Sequence, residues 1–170
     1  MTRLPLAVKP DVLSTALDRI YETHHGMVFR TAYRITGNAA DAEDVLQTVF
    51  LRMVRRDTDA SEILNAESYL RRSAVNASLD VVRSRREAGS LELETLPASG
   101  SCTELAALRD SLRRALAKLP PRTAEMFALR FFEGYSNPEV AKLMGLSQIV
   151  VAVTLHRARR KLQLELGGAK

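Results

Sequence analysis

Apolar residues recur along most of this chain at intervals of three and four positions, the spacing that places them on one side of an α-helix. No segment shows the strict alternation of apolar and polar residues that is typical of a half-buried β-strand. Leucine, alanine and arginine are abundant, whereas glycine and proline are few. The pattern therefore predicts an all-α fold.

Three periodic segments occupy the first half of the chain. Apolar residues from Val12 onward predict a helix that continues to a break at Gly37-Asn38. Residues 41–55 predict an amphipathic helix whose first turn carries three acids, which suit the positive end of the helix dipole. After a polar loop, Asn65 is placed to cap a long helix that ends near Arg86 and would extend about 30 Å.

The middle of the chain changes composition. Residues 87–104 hold four glutamates and no cation, and most of their neighbours are small or polar. We therefore expect a flexible linker at 87–103 between two small helical domains, 1–86 and 104–170. Such a linker has a root-mean-square reach of about 20 to 25 Å and a contour limit of about 55 to 60 Å, so compact and extended arrangements are both accessible.

The last third of the chain carries the clearest capping signals. Ser136 and Glu139 have the spacing of a capping box, Gly145 stands where a left-handed residue would end the helix, and Ser147 can cap the next one. One apolar stripe of the second helix then faces the domain, formed by Val151, Leu155, Ala158 and Leu162. Two short helices and a basic end predict a DNA-binding helix-turn-helix, although an ordinary bundle with a solvated basic terminus has the same local pattern.

The distribution of charge favours a polyanionic partner more than its total does. The formal net charge is +5 and the isoelectric point is near 9.7. Five arginines face a single acid, Asp80, between Tyr69 and Arg86, and a second basic cluster occupies residues 157–161. Two basic modules separated by an acidic spacer are suited to nucleic acid.

Other functional classes find little support in the residues. Cys102 is the only cysteine, so neither an intrachain disulfide nor a cysteine-based metal cluster can form. His24 and His25 are adjacent and diverge by about 100° on a helix, so we expect no metal there. We expect no cofactor, no catalytic constellation and no membrane insertion, because no apolar run approaches about eighteen residues. A cytoplasmic location follows as an expectation.

Three ordered segments resemble a known family, the bacterial extracytoplasmic-function sigma factors, which are the small two-domain group IV members of the sigma-70 family. DAEDVLQTVFLRM resembles the family helix that binds the coiled coil of the polymerase β′ subunit. YLRRSAVNASLDVVRSRR resembles the helix that helps melt and hold the minus-ten element, with Tyr69 in place of the usual tryptophan. LPPRTAEMFALRFFEGYSNPEVAKLMGLS, followed by LHRARRKL, resembles the domain that reads the minus-thirty-five element.

The resemblance implies a sigma factor that confers promoter recognition and assists DNA melting. Its partners would be core RNA polymerase, through the β′ and β subunits, promoter DNA and an anti-sigma factor. The implied polymerase-binding residues are Asp41, Glu43, Asp44, Gln47 and Phe50. The implied minus-ten residues are Arg72, Asn76, Arg83 and Arg86. The implied minus-thirty-five residues are Gln148, Ile149, Ala152, Val153, His156, Arg157 and Arg160.

Each implied surface has a structural alternative. The acidic helix could be an ordinary core helix, the arginine stripe of the long helix a solvated basic face, and Asn76 and Asp80 purely structural partners. The loop from Asp57 to Asn65, which resembles the family's specificity loop, is the candidate pocket for an unstacked base, or else a plain surface turn.

The recognition helix departs from the family. Relatives carry a segment like GTVKSR where this chain has IVVAVT, so Ile149 and Val153 are predicted to point outward. They could contact thymine methyls, be covered by protein, or indicate a displaced helix with weak base reading. We favour partial burial by an anti-sigma factor or by the other domain.

Two other classes of function remain open at this point. A polymerase-independent helix-turn-helix regulator would need a dimer interface, would footprint alone and would leave the acidic helix unexplained. An interaction adaptor would bind an acidic protein through its basic helices and would not direct transcription.

Overall fold

A computed structural model describes residues 10–55, 65–89 and 101–167, and within these ranges the chain is entirely helical apart from turns. Its helices are α1 (Pro10–Thr36), α2 (Ala39–Arg55), α3 (Ala66–Glu87), α4 (Ser101–Ala117), α5 (Pro121–Phe131), α6 (Asn137–Met144) and α7 (Gln148–Gly167). The all-α prediction is confirmed. None of these helices alone has the length and apolar character to cross a membrane; only the bent pair α6 and α7, taken together, does.

The break between α1 and α2 forms at the predicted Gly37-Asn38. Gly37 has a φ of 73°, a backbone conformation that residues with a Cβ rarely adopt. The side-chain oxygen of Asn38 then accepts hydrogen bonds from the backbone amides of Ala40 and Asp41, at 2.8 and 3.2 Å. Asn38 therefore caps α2, a role that the sequence analysis did not assign.

Asn65 occupies the N-cap position of α3, as predicted, but its side chain makes no capping hydrogen bond. The rest of the predicted base-binding loop, residues 57–64, lies outside the described residues.

The predicted linker is too long at both ends. Glu87 is the last residue of α3, and α4 begins at Ser101, so residues 101–103 are helical. The physical reason is that no glycine or proline interrupts the chain between Ser101 and Pro120. Residues 90–100 lie outside the described ranges, as does the N-terminal segment 1–9.

The helices build two hydrophobic cores that share α3. The first core joins α1, α2 and one side of α3, through residues such as Val28, Val45 and Leu70. The second core belongs to α4–α7, but it also includes Ile35 of α1 and three residues from the other side of α3, namely Val75, Leu79 and Val82. The first half of the chain, α1–α3, therefore packs against the second half, α4–α7, in a compact arrangement.

A contact at the end of α1 reinforces this packing. Arg113 of α4 donates a hydrogen bond from Nε to the Ile35 carbonyl oxygen, at 3.1 Å. Its guanidinium lies so close to Gly37 that a Cβ there would be 2.2 Å from the central carbon. A glycine at position 37 thus allows both the positive φ of the turn and the close contact with the Arg113 side chain of α4.

The helix-turn-helix has the predicted construction. Ser136 and Glu139 form both hydrogen bonds of the capping box, and Gly145 ends α6 with a φ of 64°. Ser147 accepts from the Val150 amide at 3.3 Å, and α6 and α7 meet at 108°. The predicted inner stripe of α7 is buried along its length, at Val151, Leu155, Ala158 and Leu162.

The capping box generates a stability prediction. Ser136→Ala should lower the free energy of unfolding by about 1 kcal/mol at neutral pH, because one helix amide loses its acceptor. The Ser136 hydroxyl and amide hold the pKa of Glu139 below its usual value, so this carboxylate stabilises the folded chain above its ordinary pKa. Its contribution is lost as the pH falls through the lowered value. Urea unfolding followed by circular dichroism measures both effects.

Ser84→Ala is the matched control, because Ser84 is exposed on α3. Equal unfolding free energies for the two variants at neutral pH would contradict this account of α6.

Candidate nucleic-acid interface

One face of α2 presents polar groups to solvent. Glu43, Asp44 and Gln47 are exposed, whereas Phe50 is half-buried and packs edge-on against Tyr21 with ring centroids 4.8 Å apart. Four of the five predicted polymerase-binding residues therefore share one region of the surface, with carboxylates beside an aromatic cluster. Charge and an apolar seat together suit a basic partner helix.

Asp41 does not belong to that exposed face. It is 9% exposed, and its Oδ1 accepts a hydrogen bond from Arg85 Nη2 at 2.8 Å, which joins α2 to α3. The structure therefore gives Asp41 a place in an ion pair between α2 and α3, and its polymerase contact stays a prediction. The burial of Asp41 could have been predicted from the sequence, since Asp41 lies one turn before Val45 and two turns before Val49, and both valines are buried.

The predicted minus-ten residues lie on α3, and two of them, Arg72 and Asn76, donate hydrogen bonds to the second half of the chain. Arg72 donates from Nε to Glu125 Oε1 at 2.5 Å and from Nη1 to the Leu143 carbonyl at 3.0 Å. Asn76 donates to the same Glu125 oxygen at 3.1 Å. Arg72 and Asn76 thus share one carboxylate oxygen of Glu125.

The two remaining minus-ten candidates are also engaged. Arg83 pairs with Asp80 of its own helix at 3.3 Å, and its other terminal nitrogen is buried without an acceptor among the described residues. Arg86 reaches the Ala117 carbonyl at the end of α4, at 3.5 Å. Each arginine of the stripe therefore has a protein partner, while Arg86 is exposed and the Arg72 side chain is 39% exposed.

A second carboxylate joins the two halves beside the first. Glu133 follows α5, and its side chain is fully buried. It accepts from Thr31 Oγ1 at 3.0 Å, Arg34 Nη1 at 3.0 Å and Arg71 Nη1 at 2.7 Å. Burial opposes the charge on Arg71, but the carboxylates of Glu133 and Glu67 more than offset it and raise its pKa.

The outer face of α7 is open to solvent. The exposed residues include all seven predicted minus-thirty-five residues: Gln148, Ile149, Ala152, Val153, His156, Arg157 and Arg160. Ile149 is 76% exposed and Val153 is 44% exposed. The expectation that the other domain covers them is wrong, because the second half turns α4 and α5, rather than α7, toward α3.

A cationic cleft beside that face was missed by the sequence analysis. Arg159 lies 5.1 Å from the centroid of the Phe131 ring and Arg130 lies 5.6 Å from it, so two guanidinium groups share one half-exposed aromatic side chain. These residues, with Asn137 and His156, line a cleft of about 250 Å³ between α5, α6 and α7. No carboxylate lines it, so it suits an anion. Part of this cleft could have been predicted from the sequence, because Ala152 and Arg159 are two helical turns apart and therefore lie on the same face of α7.

The histidine pair shows no ligand geometry. His25 contacts the Tyr21 carbonyl through Nδ1 at 3.0 Å and stacks on the Tyr21 ring. Within the described residues, no group of three or more histidine, cysteine, aspartate or glutamate side chains could hold a metal ion.

The sequence matches two models of known protein families. The family model "Sigma-70 region 2" matches residues 20–88, and "Sigma-70, region 4" matches residues 109–162. These two ranges include α3 and the helix-turn-helix respectively.

Named relatives match over most of the chain. The chain is 34% identical to "RNA polymerase sigma-E factor" of Streptomyces coelicolor over 146 residues, covering 85% of this chain and 82% of that protein. It is 31% identical to "ECF RNA polymerase sigma factor SigL" of Mycobacterium tuberculosis, with 86% of each chain covered. It is 32% identical to "ECF RNA polymerase sigma factor SigE" of Mycolicibacterium smegmatis, but spans only 60% of that protein's length.

One solved structure is similar in both sequence and fold. CnrH, determined in complex with the cytosolic domain of CnrY, is 27% identical to this chain with a TM-score of 0.57. The match covers 92% of this chain and 91% of CnrH.

The aromatic and arginine cleft generates a prediction. Phe131→Leu should weaken binding to a random-sequence DNA duplex about three- to ten-fold at low salt, because both arginines lose the ring that orients them. Fluorescence anisotropy with a labelled duplex measures the dissociation constant.

Leu164→Ala, an exposed apolar truncation farther along α7, serves as the control and should leave the affinity unchanged. A Phe131→Leu chain that is folded and binds the duplex as well as the parent would remove the cleft from the interface.

Proposed function

This chain is an RNA polymerase sigma factor of the extracytoplasmic-function group of the sigma-70 family, and on that premise we propose how its surfaces divide the work of promoter recognition. It binds core polymerase, places its two halves on two promoter elements and assists melting of the start site. The observation that carries the proposal is the exposed outer face of α7 on a complete helix-turn-helix. No enzymatic activity is part of the proposal.

The two halves take different roles. Residues 1–86 would bind core polymerase and the minus-ten element, and residues 104–170 would bind the minus-thirty-five element. The predicted linker at 87–103 would set their separation; α3 ends at Glu87 and α4 begins at Ser101. The chain would act where polymerase and DNA are, in the cytoplasm.

The polymerase contact centres on α2. Glu43, Asp44 and Gln47 offer exposed polar groups, and Phe50 offers the edge of an aromatic cluster. We assign this surface to the β′ subunit, and the second half of the chain to the β subunit.

The minus-thirty-five contact divides between bases and phosphates. The first two turns of α7 carry Gln148, Ile149 and Val153, which are exposed and suited to base edges and thymine methyls. Farther along, Arg157 and Arg160, with the cleft around Phe131, suit the backbone phosphates. A reader of this kind gains affinity mainly from phosphates and specificity from a few apolar and polar contacts.

The same apolar face suits a protein partner. Ile149, Val150 and Val153 together form an exposed apolar patch, and such patches mark protein interfaces. The solved relative CnrH was captured with the cytosolic domain of CnrY. We therefore propose that an anti-sigma factor covers this patch and competes with the minus-thirty-five duplex.

The alternative of a polymerase-independent regulator is not favoured by any observation. It leaves the exposed acidic face of α2 without a role.

Run-off transcription tests the proposal directly. Core polymerase with this chain and a pool of genomic templates should give discrete promoter-directed products. Asp44→Lys should lower their yield at least about ten-fold at limiting chain concentration, since a reversed charge on the contact surface costs more than 1.4 kcal/mol. Quantitative gel analysis of the products measures the yield.

Asp18→Lys makes the same charge reversal at an exposed position of α1 and should transcribe as the parent does. The absence of any promoter-directed product from the folded parent chain would overturn the proposed function, and equal yields from the two variants would remove α2 from the polymerase contact.

The apolar reading face generates a separate prediction. Ile149→Lys combined with Val153→Arg should lower the preference for thymine-containing sites by at least about five-fold, because methyl contacts are replaced by cations. It should also weaken binding of the protein partner. Sequencing of fragments selected from a randomised duplex pool measures the preference.

Gln163→Lys combined with Leu164→Arg adds similar charge at exposed positions near the end of the same helix. If the first pair changed neither site preference nor partner binding relative to this control, both proposed roles of the apolar face would fail.

A further inference from the structure

Two buried carboxylates of the second half lie against the first half. Glu125 of α5 is 6% exposed, and the Glu133 side chain is fully buried. A buried carboxylate is costly unless charged or polar donors surround it, so the identity of its donors shows what the site requires.

All the donors to these two carboxylates, among the described residues, come from the first half of the chain. Arg72 and Asn76 of α3 serve Glu125. Thr31, Arg34 and Arg71, from α1 and α3, serve Glu133. Neither carboxylate is therefore satisfied by its own half, and both are satisfied only when the halves are together.

Two of these donors, Arg72 and Asn76, are among the residues expected to bind the minus-ten element, and Arg71 is the next guanidinium on the same helix. Guanidinium groups bind phosphate and carboxylate oxygens with the same planar, charge-assisted hydrogen bonds. In the closed chain the Glu125 oxygen lies 2.5 Å from Arg72 and 3.1 Å from Asn76, which is hydrogen-bonding distance for a phosphate oxygen as well. A strand of DNA and Glu125 cannot occupy these donors together.

We propose that Glu125 is an internal substitute for a promoter phosphate at Arg72 and Asn76, and that Glu125 and Glu133 together hold the chain closed and so keep single-stranded DNA off this part of the α3 surface. This inference rests on the proposed function for the identity of the DNA strand. The carboxylates determine which part of α3 the second half covers, because they need its cationic and polar donors. The apolar contacts of Val75, Leu79 and Val82 strengthen the packing of the halves but do not depend on charge.

The closed chain masks only one of its three proposed surfaces. The polar face of α2 and the outer face of α7 remain exposed, at Glu43 and Asp44 and at Ile149 and Val153 respectively. Core polymerase and duplex DNA can therefore bind the closed chain, and the melted strand can bind only after the halves separate. The carboxylates therefore delay binding of the melted strand until the halves separate. The reason is that the apparent affinity for single-stranded DNA is reduced by the small fraction of open chain.

The test compares two probes on the full chain. Glu125→Gln combined with Glu133→Gln should raise affinity for a labelled 12-nucleotide single strand of random sequence about ten-fold at low salt, since each lost charge-assisted pair favours the open state. Affinity for a random-sequence duplex should change less than about two-fold, because α7 is exposed in both states. Fluorescence anisotropy measures both affinities.

A matched control separates closure from net charge. Glu104→Gln combined with Glu165→Gln removes two carboxylates of the second half that accept no hydrogen bond from the first half among the described residues; Glu165 pairs with Lys118, and Arg86 of α3 is only the smallest of its electrostatic contributions. This control should leave the ratio of single-strand to duplex affinity unchanged. Small-angle scattering should show a larger radius of gyration for the Glu125 and Glu133 variant than for the control.

Two results would overturn the inference. The first is an expanded variant whose single-strand affinity equals that of the control, which would show that the carboxylates do not compete with DNA. The second is a variant as compact as the control, which would show that they do not hold the halves together. Run-off transcription on the parent chain is scored separately, so a chain that transcribes but lacks the affinity change contradicts this inference alone.

Discussion

The structure depends on one constraint: the carboxylates of Glu125 and Glu133 are buried and need cationic donors from the first half of the chain. Placing such groups in an interior without partners would cost several kcal/mol each. Arg71, Arg72 and Arg34 supply the charge. These ion pairs act together with the apolar contacts of Val75, Leu79 and Val82, which make α3 a shared helix with one side in the first core and the other in the second. The arrangement of the halves, and the surfaces left open, depend on both kinds of contact.

In the closed arrangement some of the chain's binding surfaces are open to partners and one is not. The face of α3 that suits a nucleic-acid backbone is engaged by protein, whereas the α2 face and the outer face of α7 remain in solvent. A factor that must not hold single-stranded DNA before polymerase arrives gains from this separation. The apolar patch at Ile149 and Val153 adds a further level of control, because a protein bound there would block the duplex as well.

Local features could be predicted from sequence, and pairings between distant residues could not. The capping box at Ser136, the end of α6 at Gly145 and the inner stripe of α7 follow from spacing within one or two turns, and all three are confirmed. The partners of Arg72 and Asp41 lie 53 and 44 positions away, and periodicity carries no information on such pairs. The available signal is an acidic residue within an apolar stripe, as at Asp41, which the sequence analysis instead assigns to the polymerase contact.

The most direct measurement of the central claim is the distance between the halves in the free chain and on core polymerase. Spin labels at Ser84→Cys in α3 and Gln163→Cys in α7, with Cys102→Ser, would report it by double electron–electron resonance, since both positions are exposed. The account predicts one narrow, short distance distribution for the free chain and a longer one in the polymerase complex with promoter DNA. A free chain that already shows the long distance, or a complex that keeps the short one, would contradict it.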